Sequence, residues 1–152
     1  MDQALIAIAK AAEQDRQVPR VALLTAAGVV SGLPIGATEY LVRLRPSLTE
    51  AHYKNLKATE GVKRRDRDTA RTKSEAWADA DIGAFGAVLD GPAGAITLGD
   101  VSVVVAATGE TLTTAAVRVP FEAVNGWFIG AFDAKKPGSG GFFVGALVPL
   151  EE

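Results

Sequence analysis

Between Val21 and Leu44 the chain reads VALLTAAGVVSGLPIGATEYLVRL, and its apolar positions set a strand pattern. Val21, Leu23 and Thr25 alternate with Ala22, Leu24 and Ala26, which predicts a strand covered on both faces. Gly28, Gly32 and Gly36 interrupt the next residues. Glycines inside a strand pattern predict a strong bend or a close backbone crossing, here within a longer second strand that reaches Leu44. The stretch from Ala95 to Phe132 repeats the style with tight turns, so strand pairing is expected to organise the chain.

Around these strands the polar pattern changes period. From Asp2 to about Asp15, Leu5, Ile8 and Ala12 share one helical face while Gln3, Lys10 and Glu13 face water, which suits an amphipathic helix capping a sheet. Pro19 closes the linker after this helix. Ser47 and Glu50, after Pro46, have capping-box spacing and predict a helix from Leu48 to about Thr59 that stops at Gly61. The next stretch, VKRRDRDTARTKSEAWADAD, has helical composition with almost no apolar period, so a solvated helix or a disordered insertion is expected. Trp77, Ile82 and Phe85 are expected to return the chain to a core. DGPAG at 90–94 reads as a turn, AITLGDVSVVVAA as the strongest strand, ATGE as a hairpin turn into TLTTAAVRV, and Pro120 with FEAVN as a break before GWFIGAF. KKPGSGG then reads as a connector and FFVGALVPL as a last strand, so 133–152 is a Gly-rich linker and C-terminal strand.

A chain of 152 residues fits one domain spanning 1–152. It contains no cysteine, which excludes disulfides and thiolate metal sites. The start, MDQALIAIAKAA, lacks a basic leader and is broken by Lys10, and charges or glycines interrupt every apolar run, so a soluble, cytoplasmic protein without membrane partners is expected. Net charge is only −2, yet half of the 16 basic residues lie between Lys54 and Lys73, with Glu60, Asp66 and Asp68 as the only acids there. Such asymmetry permits a localised basic surface able to attract a polyanion, which the overall charge hides.

The order helix, strand, bent strand, strand, strand, one-turn break, short strand resembles the Sm-like (LSm/Hfq-type) family of small five-stranded SH3-like barrels, which commonly assemble as rings. VALLTAAGVVSGLPIGATEYLVRL is similar to the family's first two strands, and VRVPFEAVNGWFIG to its fourth strand, brief turn and fifth strand. The resemblance implies a barrel and a homo-oligomer, with residues 45–94 as a helical, charged insertion. It does not carry over the family's RNA pocket. The matching segment, Thr38, Glu39, Tyr40, Leu41 and Val42, has no Asp or Asn, and Arg118 is followed by Val119 and Pro120.

Candidate chemistry is sparse. His52 is the only histidine, and metal sites need three or four ligands. Ser31 lacks the glycine two residues earlier that a nucleophile elbow requires. Asp79 and Asp81 are close in sequence, but a charged solvated stretch accounts for them, and PGSGG lacks the Lys-Ser or Lys-Thr of a phosphate loop. Trp127 and Phe128 fit a core or a subunit interface. No catalytic residue, cofactor or metal is expected. The expected fold is mainly β with helices, an SH3-like or Sm-like small barrel, acting as a non-enzymatic oligomeric binding and assembly module. The alternative is an RNA- or DNA-binding protein using Lys63, Arg64, Arg65, Arg67, Arg71 and Lys73 in the basic insertion 54–73. An enzyme with a site shared between subunits ranks third.

Overall fold

The computed structural model describes residues 2–89 and 93–130. The described residues fall into two compact units, one of 2–36 with 93–130 and one of 37–89.

The first unit opens with helix α1, Gln3–Glu13. Asp2 caps it, its Oδ1 accepting from the backbone N–H of Ala4 at 2.8 Å and of Leu5 at 3.3 Å, so two amides without helical partners are satisfied. The helix ends where Asp15 adopts φ 52°, and the Arg16 N–H turns back to Ala11 O. Leu5, Ala9 and Ala12 are buried, one face of the helix as expected, and α1 packs on the sheet.

Five strands build the rest of this unit: β1 Val21–Thr25, β2 Gly28–Pro34, β3 Ala95–Val105, β4 Thr111–Pro120 and β5 Gly126–Ile129. They form one antiparallel sheet in the order β4-β3-β2-β1-β5. β1 and β2 form a tight hairpin with Thr25 opposite Gly28, closed by a Thr25 hydroxyl donating to Gly28 O. Gly28 has φ +144°, and a Cβ there would lie 1.9 Å from Val104 O. Between β2 and β3 the register shifts: Ser31 faces Ser102 while Leu33 faces Gly99, and Asp100, at φ 49°, is the extra residue of a β-bulge. Gly32 lies against this bulge, where a Cβ would come within 2.9 Å of Gly99 O and of Leu98 Cβ. This is the close crossing that the glycine spacing predicts.

A one-turn 3₁₀ helix, Phe121–Ala123, joins β4 to β5. It buries Phe121 and lets β5 run antiparallel to β1, with Leu23 opposite Trp127. The core gathers Leu5 and Ala9 of α1 with Val21, Leu23, Ile96, Leu98, Val119, Phe121 and Trp127. Among the described residues β4 and β5 each pair on one side only, so the sheet is open where a closed barrel was expected.

The second unit is a helical hairpin. Helix α2 covers Ala37–Glu60 and helix α3 covers Arg67–Val88, joined through a 3₁₀ turn at Arg64–Asp66. Helices therefore occupy more of the described chain than strands, and the fold is mixed α and β rather than mainly β. The second strand stops at Pro34 instead of Leu44, because Tyr40, Leu41 and Leu44 follow helical spacing and Glu39 pairs with Arg43 one turn on at 2.6 Å. The helical segment thus starts well before residue 45. Pro46 lies inside α2, and Ser47 is an interior residue of the helix rather than a cap. Gly61, at φ +68°, ends α2 as expected.

The two helices bury Thr49 and Leu56 against Ala70, Ser74 and Ala78. Ser74 donates its hydroxyl to Ala70 O at 2.8 Å, so a hydroxyl is accommodated inside the seam. Small residues at i, i+4 and i+8 let helix backbones approach closely, which explains a packed hairpin without an apolar period. Trp77 and Phe85 do not return to a core; they are exposed. No helix among the described residues is long and apolar enough to cross a membrane. The expected connector 135–141 and final strand 142–150 lie outside the described residues, as does most of the turn at 90–94.

Candidate functional site

The basic residues singled out in the sequence fall at one end of the hairpin. Lys63, Arg64 and Arg65 sit in or beside the 3₁₀ turn, Arg67 begins α3, and Arg71 and Lys73 come within its first two turns. Gly61 permits this reversal, so the turn that joins the helices also concentrates their charge.

Half of the six are engaged within the hairpin. Arg71 Nη1 meets Glu50 Oε2 at 2.9 Å, and its guanidinium lies 4.3 Å from the Tyr53 ring centroid. Lys73 Nζ is 3.9 Å from Glu60 Oε1 and 4.9 Å from the Trp77 ring centroid. Arg65 Nε approaches Asp66 Oδ1 at 3.5 Å. Lys63, Arg64 and Arg67 are exposed and make no ion pair among the described residues. These three, with exposed Lys54 and Lys57, form the available cationic surface.

The carboxylates considered for acid and base work serve different partners. Asp79 accepts from Arg45 Nε at 2.7 Å and from Arg45 Nη2 at 3.2 Å. The Arg45 hydrogen bond holds the Asp79 carboxyl below its usual range. Asp81 Oδ2 lies 2.6 Å from His52 Nε2, and the His52 ring sits 5.5 Å from that of Trp77 at 55°. His52 is therefore an interhelix fastener. Among the described residues no group of three His, Cys, Asp or Glu is placed to hold a metal. Ser31 is buried, and its hydroxyl donates to Ser102 O at 3.4 Å.

In the sheet unit, a depression of about 340 Å³ is lined by Asp2, Leu5, Phe121, Glu122, Val124 and Trp127. Its one buried indole donor is committed, since Trp127 Nε1 donates to Asp2 Oδ2 at 2.8 Å. That bond lowers the Asp2 pKa. Trp127 is a core residue with a satisfied polar edge.

Two features were missed from the sequence. Leu112 on β4 and Ile129 on β5 are 56% and 51% exposed, one on each edge strand. Val42 and Val88 are also exposed, at 65% and 73%, in the half of the hairpin away from its turn. Alternation of apolar and polar positions marks Leu112 and Ile129 as strand residues but does not say which strands are edges. No protein-family description, curated protein or solved structure matches this chain.

Proposed function

We propose that the protein is a non-enzymatic binding and assembly module, built on an Sm-like barrel layout, that self-associates through its sheet edges. The observation that carries this reading is that, among the described residues, β4 and β5 each pair on one side only and each bears an exposed large apolar side chain, Leu112 and Ile129. An edge strand offers a row of backbone donors and acceptors, and main-chain pairing with a neighbour satisfies them while covering the apolar side chains. Support for the barrel layout comes from the element order: helix, two strands, two further strands, one-turn break, short strand. A ring and a cytoplasmic location belong to the same reading. Light scattering after size exclusion in about 0.5 M salt tests it, with Leu112→Lys and Ile129→Lys combined as the edge-blocking variant. A defined wild-type oligomer that the variant dissociates supports the reading; an unchanged oligomer, or a wild-type monomer, contradicts it.

The second reading is RNA or DNA binding by the hairpin turn. It is favoured by the exposure of Lys63, Arg64 and Arg67, and it is narrowed by the ion pairs of Arg65, Arg71 and Lys73. Phosphate neutralisation by about three to five cations would make binding steeply salt-dependent and largely blind to sequence.

A further inference from the structure

The hairpin is electrically polarised. Its turn half, Lys54 to Lys73, holds half of the chain's 16 basic residues against Glu60, Asp66 and Asp68. Its other half, 37–53 with 74–89, holds Glu39, Glu50, Glu75, Asp79 and Asp81 against Arg43 and Arg45. The exposed large apolar side chains of the hairpin, Val42, Trp77, Phe85 and Val88, all lie in that acidic half. Trp77, Phe85 and Val88 fall within a quarter-turn of one another on α3, as helical positions i, i+8 and i+11. One end is thus basic and without large exposed apolar groups, and the other is acidic and apolar.

We infer that the hairpin is a second self-association surface, pairing antiparallel with the hairpin of another copy so that each basic turn lies over the acidic, apolar half of its partner. Opposite charges then meet at both ends, and a parallel pairing would set basic turn on basic turn. Lys and Arg carry long apolar stems that cover exposed rings and methyls while their heads remain at carboxylates. The internal contacts of Lys73 with Trp77 and of Arg71 with Tyr53 show the same chemistry within one copy. Two helices of about 36 Å, side by side over a width of about 20 Å, offer on the order of 700 Å² per copy, within the range of a specific interface.

The test separates this surface from the sheet edges by working in the full-length edge-blocked chain, Leu112→Lys with Ile129→Lys. Sedimentation at about 50 mM salt is expected to show a dimer that weakens on the order of tenfold or more at about 500 mM. A turn-reversed variant, Lys63→Glu, Arg64→Glu and Arg67→Glu together, and a base-reversed variant, Glu39→Lys with Glu75→Lys, should each be monomeric alone. Mixed, they should associate again, because each then offers the charge that the other lacks at both ends. A monomeric parent, a single reversal that leaves the dimer intact, or a mixture that stays monomeric would overturn the inference. Failure of the edge-blocked parent to dimerise would leave the edge reading standing. Nucleic acid carried in the parent peak and lost with the turn-reversed variant, without rescue on mixing, would assign the basic turn to a polyanion instead.

Discussion

Trp127 Nε1 donates to Asp2 Oδ2 at 2.8 Å, joining the last described strand to the first helix across 125 positions of sequence. The other oxygen of the same carboxylate caps α1. One side chain thus fixes the start of the helix and the edge strand that Trp127 anchors. Asp2→Ala removes all three hydrogen bonds and should cost about 1 to 3 kcal/mol, read as a lower urea midpoint with an unchanged slope.

The same carboxylate sets a pH dependence. Its pKa in the folded protein is lowered, chiefly by the Trp127 hydrogen bond. The stabilisation is complete above the unfolded value of about 3.9 and is lost as pH falls through the lower folded value. Urea unfolding of the wild type should therefore weaken below about pH 4, and Asp2→Asn should reduce that acid loss.

Glycine substitutions should divide by backbone environment. Gly32→Ala forces a Cβ within 2.9 Å of Gly99 O and should destabilise by about 2 to 4 kcal/mol. Gly83, inside α3, has open space around a would-be Cβ, so Gly83→Ala should stabilise by about 0.5 to 1 kcal/mol. Thermal melts of the two variants should move in opposite directions.

The hairpin seam offers a further contrast. Thr49 Oγ1 is buried with no hydrogen-bond partner among the described residues, and Thr49→Val removes that desolvated hydroxyl at nearly constant shape. It should stabilise by about 1 kcal/mol. Ala78 is fully buried in the seam, and Ala78→Leu should cost about 1 to 3 kcal/mol by forcing the helices apart. Helical circular dichroism during urea titration reads both effects.

Much of the sheet unit is legible in the sequence because its signals are local. Ile96, Leu98, Val101 and Val103 carry strand propensity, Gly109 at φ +69° closes the hairpin that ATGE predicts, and Phe121 comes after a proline that ends β4. Gly32 marks the crossing because no side chain fits there. The second unit was less legible for a physical reason. Pro46 disfavours helix at the residue before it, so Thr38 to Leu44 reads as strand until the Glu39–Arg43 pair and the continuous α2 ladder are considered. Thr49, Ala70, Ser74 and Ala78 carry no strong apolar signal, so their seam is invisible to hydrophobic periodicity. The basic block shows how many cations it has, but only the fold brings Glu50 to Arg71 and Glu60 to Lys73. The candidate surface is consequently smaller than the block.

The edge-assembly claim is tested most directly by light scattering after size exclusion in about 0.5 M salt, where screening confines exposed charge interactions to about 4 Å. Absorbance at two ultraviolet wavelengths across the peak should report protein alone. We expect a defined oligomer for the wild type and a monomer for Leu112→Lys with Ile129→Lys. A monomeric wild type under these conditions, or an oligomer that the two lysines leave intact, would contradict it.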